Sequence, residues 1–480
     1  MKTQSNTILT IALFSMLVIG KSSFAQRRVA AGGWHSIAIC SDSTVKTFGE
    51  NATGQLGDGN SNDLSTPYTI PSLSQIVSVS AGGDQLEAHS MALKADGTVY
   101  AWGSNLYGAL GNATTTNTNV PGQVLLLTGA TAISAGGWHS VALKNDGTVW
   151  TWGWNTDGQL GDGTTVDKTI ATQVPGLTGI IAISAGTYHV LALKNDGTVW
   201  AWGDNISGQV GNGTTTDQTT PIQVTGLTDV VAISAGRFFS MAIKNDGTVW
   251  TWGENLYGQL GDGTTTNRTT PVQVSGLTDV TTTAYATGAF HCVVVKSDGT
   301  LWSWGRNTYG NLGDGSTTHR SLPVLVSGLT DAKGLAGGTN FTLSYKADGT
   351  MWNFGRNLSG QLGDGTLLQR NTPFQSVSDC PIIEEPNTNG ISENELLSAV
   401  SAFPNPSNDG IFNLEIATEV NNGKIQFEVV NMIGEQVYFQ SVSSTQNETK
   451  TIDLSNQPKG VYVLNISLNG SKITKKLINN

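Results

Sequence analysis

One phrase, returning along the chain, constrains this sequence more than anything else in it. AGGWHSVALKNDGTVWTWG at 135–153 comes back as AGTYHVLALKNDGTVWAWG at 185–203 and as AGRFFSMAIKNDGTVWTWG at 235–253. Weaker copies begin at Ala31, Ala81, Ala286 and Ala336, which makes seven. The turn aspartates Asp42, Asp96, Asp146, Asp196, Asp246, Asp298 and Asp348 are spaced by 54, 50, 50, 50, 52 and 50 residues. A second phrase follows each copy, as at Gly258 to Val274 (GQLGDGTTTNRTTPVQV). Such a chain folds as equivalent units that bury their apolar faces against one another.

Each unit reads as four β-strands. IIAISAG is a short apolar run ending in glycine, and HVLALK and TVWAWG flank Asn195-Asp196-Gly197, a strong local hairpin signal. TPIQV is expected as a fourth, shorter strand that starts at its proline and suits an outer edge. Val149, Trp150 and Trp152 make the third strand apolar on both faces, so each sheet must be covered on both sides. No 3.6-residue pattern supports helical repeats. The fold class expected is all-β: a seven-bladed β-propeller over residues 26–380, followed by a small β-sandwich. Cys380 occupies the repeat position of Thr178 and Gln26 that of Ile180, so the two ends meet within one repeat position. That match predicts a closed ring whose last blade is shared between the chain ends.

Composition narrows the function. Glycine contributes 59 of 480 residues, charged residues only 13%, and the formal net charge is −11. A phosphate backbone is repelled by that balance, which argues against nucleic-acid binding. Three cysteines cannot build a disulfide framework, and no ligand spacing suggests zinc. Residues 1–25 read as a signal peptide: Lys2, an apolar run from Ile8 to Gly20, then Ser23-Phe24-Ala25, with cleavage between Ala25 and Gln26.

The motif AGGWHSVALKNDGTVWTWGWNTDGQLGDGTT resembles the repeat of the regulator of chromosome condensation family, and the resemblance covers residues 27–380. It implies a seven-bladed propeller used mainly as a rigid interaction platform. Some members are nucleotide exchange factors for small GTPases, and similar secreted bacterial propellers inhibit β-lactamases. This chain is acidic and lacks a basic tail, so no exchange residue maps onto it and no small GTPase partner is expected. After a polar linker at 381–398, residues 399–480 are strand-like. Pro404-Asn405-Pro406, Gly410, Gly460-Val461-Tyr462 and Lys475-Lys476-Leu477 resemble the C-terminal sorting domain of the type IX secretion system. That implies the secretion machinery as partner of 399–480, removal of the tail, and a product released or held at the outer cell surface.

Candidate site residues come from columns of the repeat. His35, His89, His139, His189 and His291 share one position, with Phe239 and Phe341 in the other two units. If that strand lies near the axis the ring lines the central channel, yet Phe in the same niche points to packing rather than metal ligation. One residue upstream stand Trp34, Trp138, Tyr188, Phe238 and Phe290, with Ala88 and Asn340 elsewhere. They are expected on one rim, where rigid aromatic rings suit a protein or glycan ligand. A two-residue insertion around Asp84 to Glu87 makes the second unit's rim unlike the rest. The pairs Trp150/Trp152, Trp200/Trp202, Trp250/Trp252 and Trp302/Trp304 read as filling between blades. Asp58, Asp162, Asp262, Asp314 and Asp364 read as turn formers rather than calcium ligands. Cys40 and Cys380 are expected to approach each other and form a disulfide latching the ring. No nucleophile, metalloprotease or phosphate-loop motif occurs. The visible repeat-breakers mostly exchange one apolar residue for another. The function expected is therefore a non-enzymatic binding module without cofactor; the alternative is an extracellular hydrolase or lyase acting on glycan or peptide from one rim.

Overall fold

The computed structural model describes residues 28–40, 43–83, 87–376, 400–416, 424–431, 436–443, 449–468 and 471–480. The chain divides into two compact units after Ile382. The first holds seven four-stranded antiparallel sheets, one per repeat, in chain order from the innermost strand to the outermost. In the fourth blade the strands are Ile180–Ala185, His189–Lys194, Val199–Gly203 and Gln218–Gln223. This is the seven-bladed propeller that the repeat predicts.

Two details differ from the sequence expectation. The fourth strand is as long as the first two and starts ahead of its proline. Pro221 sits where the pairing slips between Ala201 and Gly203, so its missing N–H removes no ladder bond. Nor is any blade shared between the ends of the propeller among the described residues. The first sheet runs from Val29 to Ile70 and the seventh from Ala332 to Gln375, each built from one contiguous segment.

Closure comes instead from contacts between neighbouring blades. The loop after each third strand donates one backbone N–H to the outer strand of the next blade. The pairs are Gly59–Asn119, Ala113–Thr169, Gly163–Thr219, Gly213–Thr269, Gly263–Ser321, Gly315–Asn371 and Gly365–Ser65, at 2.9–3.0 Å. The seventh joins the last blade to the first. Near the axis, serines do the same work: Ser80, Ser134 and Ser184 Oγ each accept the amide of the next blade's inner strand (Ala135, Ala185 and Ala235) at 2.9–3.0 Å. An apolar cluster of Val29, Ala38, Phe48, Phe341, Leu343, Met351 and Leu362 packs across the same seam.

The predicted tryptophan pairs divide their labour. The second of each pair is fully buried between blades. Its indole N–H reaches a backbone carbonyl of the preceding blade, as in Trp202 to Gln159 at 2.9 Å and Trp252 to Gln209 at 2.8 Å. The first stays half-buried under a lysine, as in Lys144 over Trp150 at 5.0 Å.

The second unit pairs a three-stranded sheet (Val400–Phe403, Ile411–Ile416, Thr449–Asp453) with a four-stranded one containing Lys424–Val430, Gln436–Ser443, Gly460–Leu468 and Ser471–Asn479. Phe412, Leu414 and Ile452 from one sheet meet Phe427, Val429, Leu464 and Leu477 from the other in a single core, which makes it a sandwich. The signal-peptide residues 1–25 with Ala25, the following Gln26, the linker 381–398, and Cys380 lie outside the described residues.

Candidate functional site

The loops at the two ends of a blade differ in kind. One end carries the Asn-Asp-Gly turns, in which Asp146 Oδ1, for example, accepts the Thr148 amide at 3.0 Å. The other end carries the loops before the second strand and after the third, and all five predicted rim aromatics sit there.

An asparagine organises each of the longer loops. Asn255 Oδ1 accepts the Leu260 amide at 2.9 Å, and its Nδ2 donates to Asp262 Oδ1 and to the Thr264 and Thr266 carbonyls. Asp262 also accepts the Thr264 amide and pairs with Arg268 at 2.7 Å. The LGDGT aspartates are thus committed to turn formation. Among the described residues, no group of three or more His, Cys, Asp or Glu could hold a metal ion.

The histidine column is placed differently from the channel-lining alternative. All five rings are buried, at the start of second strands rather than on the innermost ones. His35, His139, His189 and His291 pack against the glycine of their own blade's rim loop; a Cβ on Gly136 would lie 2.2 Å from His139 Cε1. Nε2 of His35, His89, His189 and His291 meets a hydroxyl of the next blade (Ser90, Ser140, Ser240, Thr342) at 2.8–3.0 Å. Those hydroxyls donate onward to backbone carbonyls, as Ser90 does to Gln55 at 2.7 Å. The hydroxyl proton is therefore spent and its oxygen accepts from Nε2–H, which fixes the tautomer. Burial, with the His89 charge second, depresses His35 to about 3, and burial alone depresses His291 to about 4. These are neutral packing residues. His139 is the exception: Val190 stands where the others find a hydroxyl, and neither ring nitrogen has a hydrogen-bond partner.

The rim aromatics, by contrast, join across blades. Tyr107 lies 6.3 Å from Trp138, edge to face, and Trp138 lies 5.4 Å from Trp154 and 5.7 Å from Tyr188. Tyr188 stacks on Phe238 at 4.8 Å with planes 9° apart. The Arg237 guanidinium then bridges Tyr188, Phe238 and Phe290 at 5.2–5.9 Å. Tyr257 continues the line against Phe290 at 5.7 Å and against the His319 ring at 5.2 Å, under Arg306. The result is one crest over blades 2 to 6, edged by the exposed tips Leu106, Ile206 and Leu256. Arg237 also lines the channel mouth, whose wall is mostly glycine, alanine, serine and threonine. Trp34 stands apart, on the seam between the first and seventh blades, with Arg356 4.0 Å above its ring. Residues 84–86 of the blade-2 insertion lie outside the described residues; Glu87, which follows them, accepts the Trp138 indole N–H at 2.9 Å.

Sequence reasoning missed half of this surface. The residue after each third strand is Glu50, Ser104, Trp154, Asp204, Glu254, Arg306 or Arg356, a varied and mostly charged column of the repeat. The expectation that repeat-breakers exchange apolar for apolar residues fails there. Burial, helped by Asp63, raises the Glu50 carboxyl to about 7 against the pull of Arg356, and Gln55 Nε2 donates to it at 2.9 Å. Burial, then repulsion from Asp217 and Asp157, raises Asp204 to about 6 although the Ile206 amide opposes it. Variation inside a repeat whose scaffold positions hardly change was the available signal.

Known proteins match this architecture. The model described as RCC1-like domain matches residues 88–384, with single regulator of chromosome condensation (RCC1) repeats matched at 27–55 and 42–93. The secretion system C-terminal sorting domain matches 401–480. The mouse E3 ubiquitin-protein ligase HERC2 is 37% identical over 107 residues, which is 22% of this chain and 2% of that protein. The human probable E3 ubiquitin-protein ligase HERC3 is 38% identical over 103 residues, 21% of this chain and 9% of that one. The chain thus spans a small fraction of these curated relatives. Among solved structures, yeast RCC1 (Prp20) in complex with Kap60 superposes with a TM-score of 0.63 at 21% identity, covering 71% of this chain and 86% of that one. Human WBSCR16 gives 0.63 at 22% identity, covering 71% and 96%. These likenesses show the fold, and the tail supports export by the type IX system. The chain belongs to the RCC1-like domain family, with its propeller joined to a secretion system C-terminal sorting domain.

Proposed function

We propose that this chain is a secreted or surface-held, non-enzymatic propeller whose aromatic and arginine crest binds a partner outside the cell. The observation that carries the reading is the unbroken contact line Trp138–Tyr188–Phe238–Arg237–Phe290 across four blades. Trp, Tyr and Arg are the residue types that dominate binding energy at protein interfaces, and a rigid scaffold lowers the entropy cost of presenting them. Exposed Leu and Ile tips beside them favour a protein over a glycan. Leaving the cell requires the signal at 1–25 and the tail at 399–480. The Cys40–Cys380 latch belongs to the same reading: Cys40 is disulfide-bonded and Cys292 is free and buried. The yeast relative is described for its binding to Gsp1p and histones; with a net charge of −11, neither kind of partner is carried over to this chain.

The test is capture of cell-envelope and host proteins by the mature chain and by its W138A/Y188A/F238A variant. Loss of capture with an unchanged melting profile supports the crest; equal capture by both moves the site elsewhere. The second reading, a hydrolase or lyase, draws support from the two carboxyls held protonated to about pH 6 and 7, Asp204 and Glu50. They stand in blades 4 and 1 and do not form an acid–base pair, so binding is the stronger reading.

A further inference from the structure

Two columns of the repeat come together at the crest end of a blade. One is the residue after the third strand, and the other is the side chain that accepts the backbone N–H of the loop asparagine. In blade 1 they are Glu50 and Asp63, which takes the Asn51 amide at 2.9 Å. In blade 4 they are Asp204 and Asp217, which takes the Asn205 amide at 2.8 Å. Blade 6 inverts the charge, because Arg306 and His319 stand there. His319 keeps the acceptor's task through Nδ1, which takes the Asn307 amide at 3.0 Å. A ring nitrogen that accepts carries no proton, so the proton sits on Nε2. An exposed position that offers only acceptor oxygens in blades 1 and 4 therefore offers a donor in blade 6.

Arg306 is held in place by rings. Its guanidinium lies 5.0 Å from the Tyr257 ring and 5.1 Å from that of Phe290, and its Nε donates to Thr308 Oγ1 at 3.2 Å. Both Nη groups are left for an incoming acceptor. His319 meets the same Tyr257 ring at 5.2 Å, edge to face. Burial first, and the Arg306 charge second, depress the imidazole, which keeps it neutral with its Nε2–H in place. Among the described residues no ion pair involves Arg306 or His319. A guanidinium fork and an imidazole N–H share one tyrosine, beside the exposed Leu256. Such a set suits a planar group with two acceptor oxygens and an apolar neighbour.

We propose that this blade-6 cluster anchors a carboxylate of the crest's partner, an acidic side chain with an apolar one next to it. The inference rests on the crest reading and names the chemistry of one of its contacts. Arg306 donates to the two carboxylate oxygens side by side, His319 Nε2–H donates to one of them, and the apolar neighbour lies against Tyr257 and Leu256. Contact with two rings has already ordered the guanidinium, so less side-chain freedom is lost than in an ordinary surface ion pair.

The probe is 3-phenylpropionate, titrated into the mature chain by saturation-transfer NMR, with the His319 ring resonance reporting the place of binding. Five of the six histidines are buried, which sets the exposed ring apart from the rest. Saturable binding with a dissociation constant on the order of millimolar is expected, and among the histidines only His319 should shift. R306Q should weaken binding about tenfold, and so should exchange of the probe for its neutral amide, 3-phenylpropanamide. H319D keeps the acceptor that blades 3 and 4 use but reverses the charge, so it should abolish binding with an unchanged melting profile. No saturation, an unmoved His319 resonance, equal binding of the amide, tighter binding of phenyl phosphate, or full binding by both variants overturns the site. W138A/Y188A/F238A should leave the titration unchanged, so failure of the crest reading shows in the capture experiment alone. Capture lost by that variant but kept by R306Q overturns the anchor and spares the crest.

Discussion

The backbone amide of Gly365 in the seventh blade donates to the carbonyl of Ser65 in the first at 3.0 Å, completing a circuit of seven such bonds. On the same seam Ser36 Oγ donates to the Gln361 carbonyl at 2.8 Å. The junction of first and last blades therefore repeats the backbone bond found at every other junction, and no exchanged strand is needed among the described residues.

A covalent latch should add to that seam from the opposite face. Cys40 directly follows a second strand and is disulfide-bonded. A non-reduced digest is expected to yield one peptide pair joining Cys40 to Cys380. Cys40→Ser should lower unfolding stability by about 4 kcal/mol, the upper range for a long loop. Two free thiols at these positions in the mass spectrum reject the pairing.

The orphaned His139 predicts a stabilising substitution. Val190→Thr places a hydroxyl between His139 Nε2 and the Gln159 carbonyl, repeating the arrangement of His89, Ser140 and Ala109. A satisfied buried donor is worth about 1 kcal/mol. Guanidinium unfolding should show the gain, and it should vanish in an H139F background, where no donor remains.

Acid sensitivity follows from the five buried histidines. Burial holds their folded values at about 3 to 4 (His89 and His291 at about 4), below the ordinary 6.5. The unfolded chain therefore binds protons first as pH falls, so stability is full above 6.5 and is lost progressively between 6.5 and 3. Stability measured against pH should fall with a slope approaching five protons. Replacing His189 by Phe, the residue of blades 5 and 7, should lower that slope by one.

Ala113 has φ of 63° where the other blades carry glycine with φ of 76–85° at the matching position. The left-handed conformation costs an L-residue roughly 1–2 kcal/mol, and glycine's greater unfolded entropy takes back about half of that. Ala113→Gly should raise stability by about 0.5–1 kcal/mol in the same assay, whereas Gly163→Ala should lower it.

Much of the fold is legible in the chain because every structural role recurs. Asp-Gly turns, apolar second and third strands and paired tryptophans mark the blades before any coordinates are seen. The rim aromatics were found the same way, but their joining across blades was not. Tyr188 and Phe238 are 50 residues apart in sequence and meet only because neighbouring blades twist alike. The charged column from Glu50 to Arg356 carries no periodic signal, because its residue type changes from blade to blade. The histidines were legible as packing pieces, because Phe239 and Phe341 fill the same niche in the other two blades, and all five rings are buried.

Since every propeller sheet is drawn from one uninterrupted stretch of backbone, the position of the nick in the circle is mechanically arbitrary. A permutant that begins at Ile180 and carries a tether from Gln375 to Val29 would retain all seven sheets and every seam. Whole modules can then be exchanged between homologous toroids by cutting in the short links between sheets, which carries a chosen patch of rim from one scaffold to another intact.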